Sequence, residues 1–124
     1  MVTHRSQIAI VDDDPGMGRA IGRLCGALAI PSRCFTSAEE FLASDALDET
    51  SLLILDVQLP GLTGFELNDQ LVSRGIRLPV VFITGQDQEL SRAKARTAGA
   101  AAYLPKPFQA NELITAVRKH LPAP

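Results

Sequence analysis

Five short apolar runs separated by helix-patterned segments predict an α/β domain, a three-layer (βα)5 sandwich around a parallel sheet. Three observations carry that prediction. The runs are almost continuously apolar instead of alternating, as in strands covered on both faces. The segments between them repeat aliphatic residues at helical spacing. Acids, a hydroxyl and a lysine cluster where the runs end, which places them together at one rim of such a sheet.

The elements follow in order. "QIAIV" (Gln7 to Val11) is the first strand. Asp14 precedes Pro15, which suits the first position of a helix carrying Met17, Ile21, Leu24 and Leu28. Gly18, Gly22 and Gly26 fall four apart on it, which in a helix lying on a sheet permits close packing. "SRCF" (Ser32 to Phe35) is short and half polar, the pattern of an edge strand. Ser37 and Glu40 form a capping box ahead of Phe41 and Leu42. "LLIL" (Leu52 to Leu55) is the third strand, and a helix over Phe65 to Arg74 carries Leu67 and Leu71. "PVVFI" (Pro79 to Ile83) is the fourth, followed by an alanine-rich, weakly amphipathic helix over Gln88 to Ala98 whose main apolar residue is Leu90. "AAYL" (Ala101 to Leu104) is the fifth, and Leu113, Val117 and Leu121 mark a last helix. Right-handed crossovers and five strands favour the flavodoxin-like order 2-1-3-4-5, with its ligand crevice at the carboxyl ends of strands 1 and 3.

Bulk properties narrow the function classes. At 124 residues the chain is predicted to be one domain, residues 1–124 with a core over about 6–121, and is long enough to bury a core without staples. A net charge of −2 points away from nucleic acid or an anionic membrane as a direct partner. No apolar run approaches the ~18 residues of a membrane span, and the first residues lack a signal-peptide pattern. Cys25 and Cys34 are too few for a zinc site and read as buried, reduced thiols, so a cytoplasmic location is expected. The closing "LPAP" reads either as the start of a linker or as a simple stop.

The strand ends carry the chemistry. The first run ends in "VDDD" (Val11 to Asp14) and the third in Asp56. In the predicted order Asp12, Asp13 and Asp56 converge. Two carboxylates ~5 Å apart repel by roughly 3 kcal/mol at an effective dielectric of 20. Such a cluster takes up protons or binds a cation, and hard oxygen ligands in an open site favour Mg²⁺. "FITG" brings Thr84 to the same rim, and "PKPF" brings Lys106. A hydroxyl donor, an ammonium and a divalent cation around one carboxylate make a pocket for a phosphoryl group, with Asp56 as a nucleophile forming an aspartyl phosphate. Taken singly, "DDD" reads as a helix cap, Thr84 as a structural residue and Lys106 as a solvated one. The joint placement is what argues for a site. His4 and His120 lie near the termini and read as solvated, so neither is a phosphoryl donor.

Through "IAIVDDD", "LLILDVQLPGLTG", "PVVFITG" and "AGAAAYLPKPF" the chain resembles a response-regulator receiver domain of two-component signalling, similar to the chemotaxis regulators in fold. "TSAEEFL" and "VFITGQ" resemble receivers that precede helix-turn-helix output domains of the nitrogen-fixation type, hence a role in transcription regulation. The resemblance implies that Asp56 is the phosphoacceptor, with Thr84 and Lys106 contacting the phosphoryl group. It implies that Mg²⁺ is the cofactor, held by Asp13 and Asp56, by Asp12 through water, and by the backbone carbonyl of Gln58, whose side chain matters less. It makes the Lys106–Pro107 bond cis, and Thr84 with Tyr103 the switch that alters the face built by the fourth helix, fifth strand and fifth helix. A half-buried core aromatic is the plain alternative for Tyr103. Pro105 is a local variation on the family pattern. Implied partners are a sensor histidine kinase or phosphotransfer protein and an output domain or target protein. A phosphorylation-dependent homodimer is left open, since Arg92, Lys94, Arg96, Arg118 and Lys119 read as ordinary solvated faces.

The expected function is a phosphorylatable switch that catalyses only its own phosphorylation and dephosphorylation. Two other classes compete with it. A Mg²⁺-dependent phosphohydrolase with an aspartyl intermediate needs an acid/base, usually an Asp two residues past the nucleophile, where this chain has Gln58. A degenerate receiver serving only as an interaction module would not need Asp12, Asp13, Asp56, Thr84 and Lys106 together.

Overall fold

The computed structural model describes residues 7–121. In order it has β1 (Gln7–Val11), α1 (Pro15–Ala27), β2 (Ser32–Phe35), α2 (Ala38–Ala43), a 3-10 turn (Ala46–Glu49), β3 (Thr50–Asp56), α3 (Gly64–Ser73), β4 (Val80–Thr84), α4 (Glu89–Thr97), β5 (Ala102–Pro105) and α5 (Ala110–His120). The strands pair in parallel in the order β2-β1-β3-β4-β5, the flavodoxin-like arrangement that the sequence predicts. His4 and Pro122 to Pro124 of the closing "LPAP" lie outside the described residues.

Alternation along each strand divides the core in two. Ala9, Val11, Leu53, Leu55, Val80 and Phe82 face one side, where Phe41 of α2, Leu67 and Leu71 of α3 and Ala95 of α4 cover them. Ile8, Ile10, Leu52, Ile54, Val81 and Ile83 face the other, under Ile21 and Cys25 of α1 and Leu113 and Val117 of α5. Both faces of β1, β3 and β4 are dry, which is why those runs show no polar alternation. No helix among the described residues is long and apolar enough to cross a membrane.

Several local expectations need correcting. β3 begins at Thr50, ahead of the apolar run, because its two leading hydroxyls are satisfied inside: Thr50 Oγ1 donates to the Ala46 carbonyl at 2.8 Å and Ser51 Oγ to that of Gln7 at 3.2 Å. Ser37 caps α2 as expected, but Glu40 reaches back to the N–H of Thr36 instead of Ser37. A full capping box lies instead at Thr63 and Glu66 ahead of α3. Gly18 and Gly22 do pack against β2, where an added Cβ would touch Cys34 and Ser32, whereas Gly26 faces open space. Cys25 is buried, and burial pushes its thiol up to about 11. Cys34 is exposed on edge strand β2, contrary to the buried thiol expected, and its Sγ donates to the Gly18 carbonyl at 3.2 Å. His120 is half-buried, with Nδ1 3.0 Å from the Ala116 carbonyl.

Three helices end in the same motif, and one end is imperfect. After α3 and α4 the chain turns through Gly75 (φ 76°) and Gly99 (φ 71°), with the next N–H bonding back five residues to Leu71 and Ala95. After α1 the equivalent position is Ala29 at φ 59°, with Ala29 N–H on Gly26 O and Ile30 N–H on Cys25 O. A Cβ in the left-handed region costs about 1 kcal/mol or more, part of which glycine returns through its freer unfolded chain. Ala29→Gly is therefore expected to raise stability by about 0.5–1 kcal/mol, read as a higher urea midpoint at unchanged slope. A lower midpoint would show that the turn is not strained.

Candidate functional site

The parallel sheet delivers four chain segments to one rim. Asp12 and Asp13 follow β1, Asp56 ends β3, Thr84 ends β4 and Lys106 follows β5. Asp12 N–H donates to the Phe35 carbonyl and Lys106 N–H to the Thr84 carbonyl, so both residues continue their strands' ladders. The loop after Asp56 is held from two sides. Glu39 of α2 accepts from the Leu62 N–H at 2.9 Å, and that bond holds its carboxyl below the usual range. The Gly64 N–H donates to the Val57 carbonyl at 3.1 Å.

Carboxylate oxygens of Asp12, Asp13 and Asp56 lie within 4.8 Å of one another. Asp12 and Asp56 are buried and Asp13 is exposed. Lys106 Nζ bridges the two buried acids, 2.9 Å from Asp12 Oδ2 and 3.1 Å from Asp56 Oδ2. Their other oxygens accept backbone N–H groups, Asp12 Oδ1 from Asp14 and Asp56 Oδ1 from Gln58. Asp14 itself caps α1 by accepting from Gly16, the plain role expected of it.

Electrostatics single out Asp56. Burial, then the charge of Asp12, raise its pKa from the ordinary 3.8 to about 6, against the opposing pull of Lys106. Burial disfavours the Lys106 charge too, but its hydrogen bonds to Asp12 and Asp56 outweigh this and hold its pKa above the usual lysine value. Three carboxylates against one ammonium leave a charge deficit that a divalent cation matches. The all-oxygen donor set, open on the Asp13 side, fits Mg²⁺. The same rim offers a buried carboxylate, an ammonium and a buried hydroxyl, groups that can serve phosphoryl transfer to a side chain.

Thr84 is fully buried, and its hydroxyl donates to Gln58 Oε1 at 2.7 Å while accepting from the Gln86 N–H at 3.0 Å. The Gln58 side chain thus takes part in the site, a role the sequence reading left to its backbone alone. Tyr103 is half-buried on β5 and turns outward, its hydroxyl donating to Asp87 Oδ1 at 3.3 Å. Burial, then the Asp87 charge, raise its pKa. Arg92 is exposed, as expected of a solvated face, and is paired with Asp87 by two hydrogen bonds. Leu90, the main apolar residue of α4, is 64% exposed, leaving Ala95 as that helix's buried residue. The Lys106–Pro107 peptide bond is cis.

Comparison with known proteins agrees with this geometry. Residues 8–118 match the family described as the response regulator receiver domain. Nodulation protein W of Bradyrhizobium diazoefficiens is 38% identical over 110 residues, 89% of this chain and 48% of that protein. Response regulator protein TodT of Pseudomonas putida is 35% identical over 98% of this chain and 53% of its own length. The chain therefore spans about half the length of these curated relatives. The crystal structure of a response regulator receiver protein from Burkholderia phymatum is 40% identical, with a TM-score of 0.77 over 95% of this chain and 98% of that one.

Proposed function

This chain belongs to the response regulator receiver domain family, and on that premise we propose that Asp56 accepts a phosphoryl group and that Thr84 reads its arrival. One observation carries the reading: the Lys106 ammonium spans Asp12 and the buried Asp56 at the switch point of the sheet, beside a buried Thr84 hydroxyl. An Asp56 carboxylate oxygen attacks phosphorus, the bond to the donor nitrogen breaks, and the donor imidazole departs with a proton. Lys106 neutralises charge on the phosphoryl oxygens, and the Gln58 N–H orients the acceptor through Asp56 Oδ1. Asp13, Asp56 and the Gln58 carbonyl, with Asp12 behind them, would hold Mg²⁺, which would neutralise charge on the transferred group.

The donor is a sensor histidine kinase or a phosphotransfer protein, and the signal passes to an output domain or a target protein. Residues 1–124 act as one receiver domain, a signalling switch whose only chemistry is on itself. Gln58, with a carboxamide where a phosphohydrolase of this type places its acid/base, disfavours turnover of external phosphoesters. The unbroken set of Asp12, Asp13, Asp56, Thr84 and Lys106 disfavours an inert interaction module.

Incubation with acetyl phosphate and Mg²⁺, followed by intact mass, tests the proposal. One phosphoryl group is expected on the wild type, and none without Mg²⁺ or in Asp13→Ala. Unmodified protein at millimolar Mg²⁺ would sink the phosphoacceptor assignment. Steady release of phosphate from added phosphoesters would favour the hydrolase instead.

A further inference from the structure

We propose that the Gln58 side chain is a positioning residue that keeps the Thr84 hydroxyl engaged until a phosphoryl oxygen replaces it as acceptor, and so sets the threshold of the switch. The inference rests on the phosphoacceptor reading of Asp56 and goes beyond it. A threonine hydroxyl has one proton to donate. Here Thr84 Oγ1 has two acceptors in range, Gln58 Oε1 at 2.7 Å and the Gln86 carbonyl at 3.2 Å, and the first is much the better bond. Its lone-pair side is already occupied by the Gln86 N–H. Thr84 can therefore donate to a phosphoryl oxygen on Asp56 only if its hydrogen bond to Gln58 Oε1 breaks.

Gln58 is placed to sense that exchange. Its backbone N–H holds Asp56 Oδ1 at 3.1 Å, and its carboxamide holds Thr84, so one residue spans acceptor and reader. A released carboxamide also has somewhere to go. Gln58 is half-buried and lines the open groove of about 1300 Å³ between α3 and α4, where water can satisfy it. Release therefore removes a bond from the unphosphorylated state without burying an unpaired amide in the phosphorylated one. The groove and the exchange lie on the side of the site away from α1.

Calorimetric titration of beryllofluoride, at saturating Mg²⁺, into the intact protein tests this. The wild type binds it at Asp56, and Gln58→Met, similar in length but without the carboxamide, binds about 3- to 10-fold tighter. Thr84→Val binds more weakly, and adding Gln58→Met to Thr84→Val changes nothing further, since the contested proton is gone. Titration with Mg²⁺ alone, run on each protein, sets the metal concentration so that beryllofluoride binding is compared at equal, saturating Mg²⁺ occupancy. In the free protein the Gln86 amide resonance, whose N–H bonds Thr84 Oγ1, shifts in Gln58→Met. Equal or weaker beryllofluoride binding by Gln58→Met, or the same tightening in the Thr84→Val background, would overturn the role of Gln58. Absence of Mg²⁺-dependent beryllofluoride binding in the wild type would instead overturn the phosphoacceptor reading, and the Gln58 role with it.

Discussion

Asp56→Asn is expected to abolish phosphoryl uptake and, in Mg²⁺-free buffer, to be more stable than the wild type by a margin that widens as pH rises from about 4 to about 6. The first half follows from chemistry, since a carboxamide is nearly isosteric with the carboxylate but a very poor nucleophile. The second follows from linkage. The folded-state pKa of Asp56 is about 6 against an ordinary 3.8, raised first by burial and then by the Asp12 charge. Between those values the folded protein holds a proton that the unfolded chain has released, so wild-type stability falls as pH rises through the window. Below the window the group is neutral in both states and resembles Asn. Above it the difference is constant. The shift is the net of burial and the Asp12 charge against the pull of Lys106, and it corresponds to a gain of about 3 kcal/mol at neutral pH. Comparing the two proteins cancels Glu39, Asp45 and Asp87, whose lowered pKa values act in the opposite direction. Urea denaturation at pH 4 and pH 7 reads the margin, and intact mass reads the phosphoryl group. A margin that shrinks with pH would mean that Asp56 is not a strained carboxylate. Added Mg²⁺ should narrow the margin, because it binds only the wild-type acid cluster well and stabilises by mass action.

The sequence makes the sheet and the acid rim legible for one physical reason. A strand dry on both faces must be apolar throughout, and its first polar residue marks where it meets water. Thus β1 and β2 are read to the residue, and Asp56, Thr84 and Lys106 are placed from strand ends alone. The same rule fails at the start of β3, where Thr50 and Ser51 are polar yet satisfied inside, and at Cys34, whose burial depends on lying at an edge. Side-chain contacts between segments far apart in sequence leave no periodic trace. The bond from Glu39 to Leu62 and the bond from Thr84 to Gln58 span 23 and 26 residues. Asp87, which holds both Tyr103 and Arg92, is likewise an unremarkable loop acid until the fold brings them together.

Gly64→Ala is expected to be among the most damaging single-methyl additions in the chain, destabilising by about 3 kcal/mol and impairing phosphoryl uptake even where the protein stays folded. Gly64 is the first residue of α3, directly after the Thr63 cap. Its backbone needs no unusual dihedral, and the constraint is space. An added Cβ would stand 2.3 Å from the Asp56 carbonyl oxygen and 3.1 Å from Val57 Cα, both backbone atoms that no rotamer change can clear. The first turn of α3 would have to lift, breaking the Gly64 N–H bond to Val57 and dragging the loop that carries Gln58. That loop supplies the N–H on Asp56 Oδ1, the carboxamide on Thr84 and the carbonyl proposed for Mg²⁺. Gly26→Ala is the matched control: nothing lies within 4 Å of its added Cβ, and in the last turn of α1 alanine should stabilise by roughly 0.5–1 kcal/mol. Thermal melts of both variants, with beryllofluoride titration at a temperature where each is folded, separate stability from function. Gly64→Ala melting with the wild type and binding beryllofluoride equally well would show that the close approach of α3 to Asp56 does not shape the site.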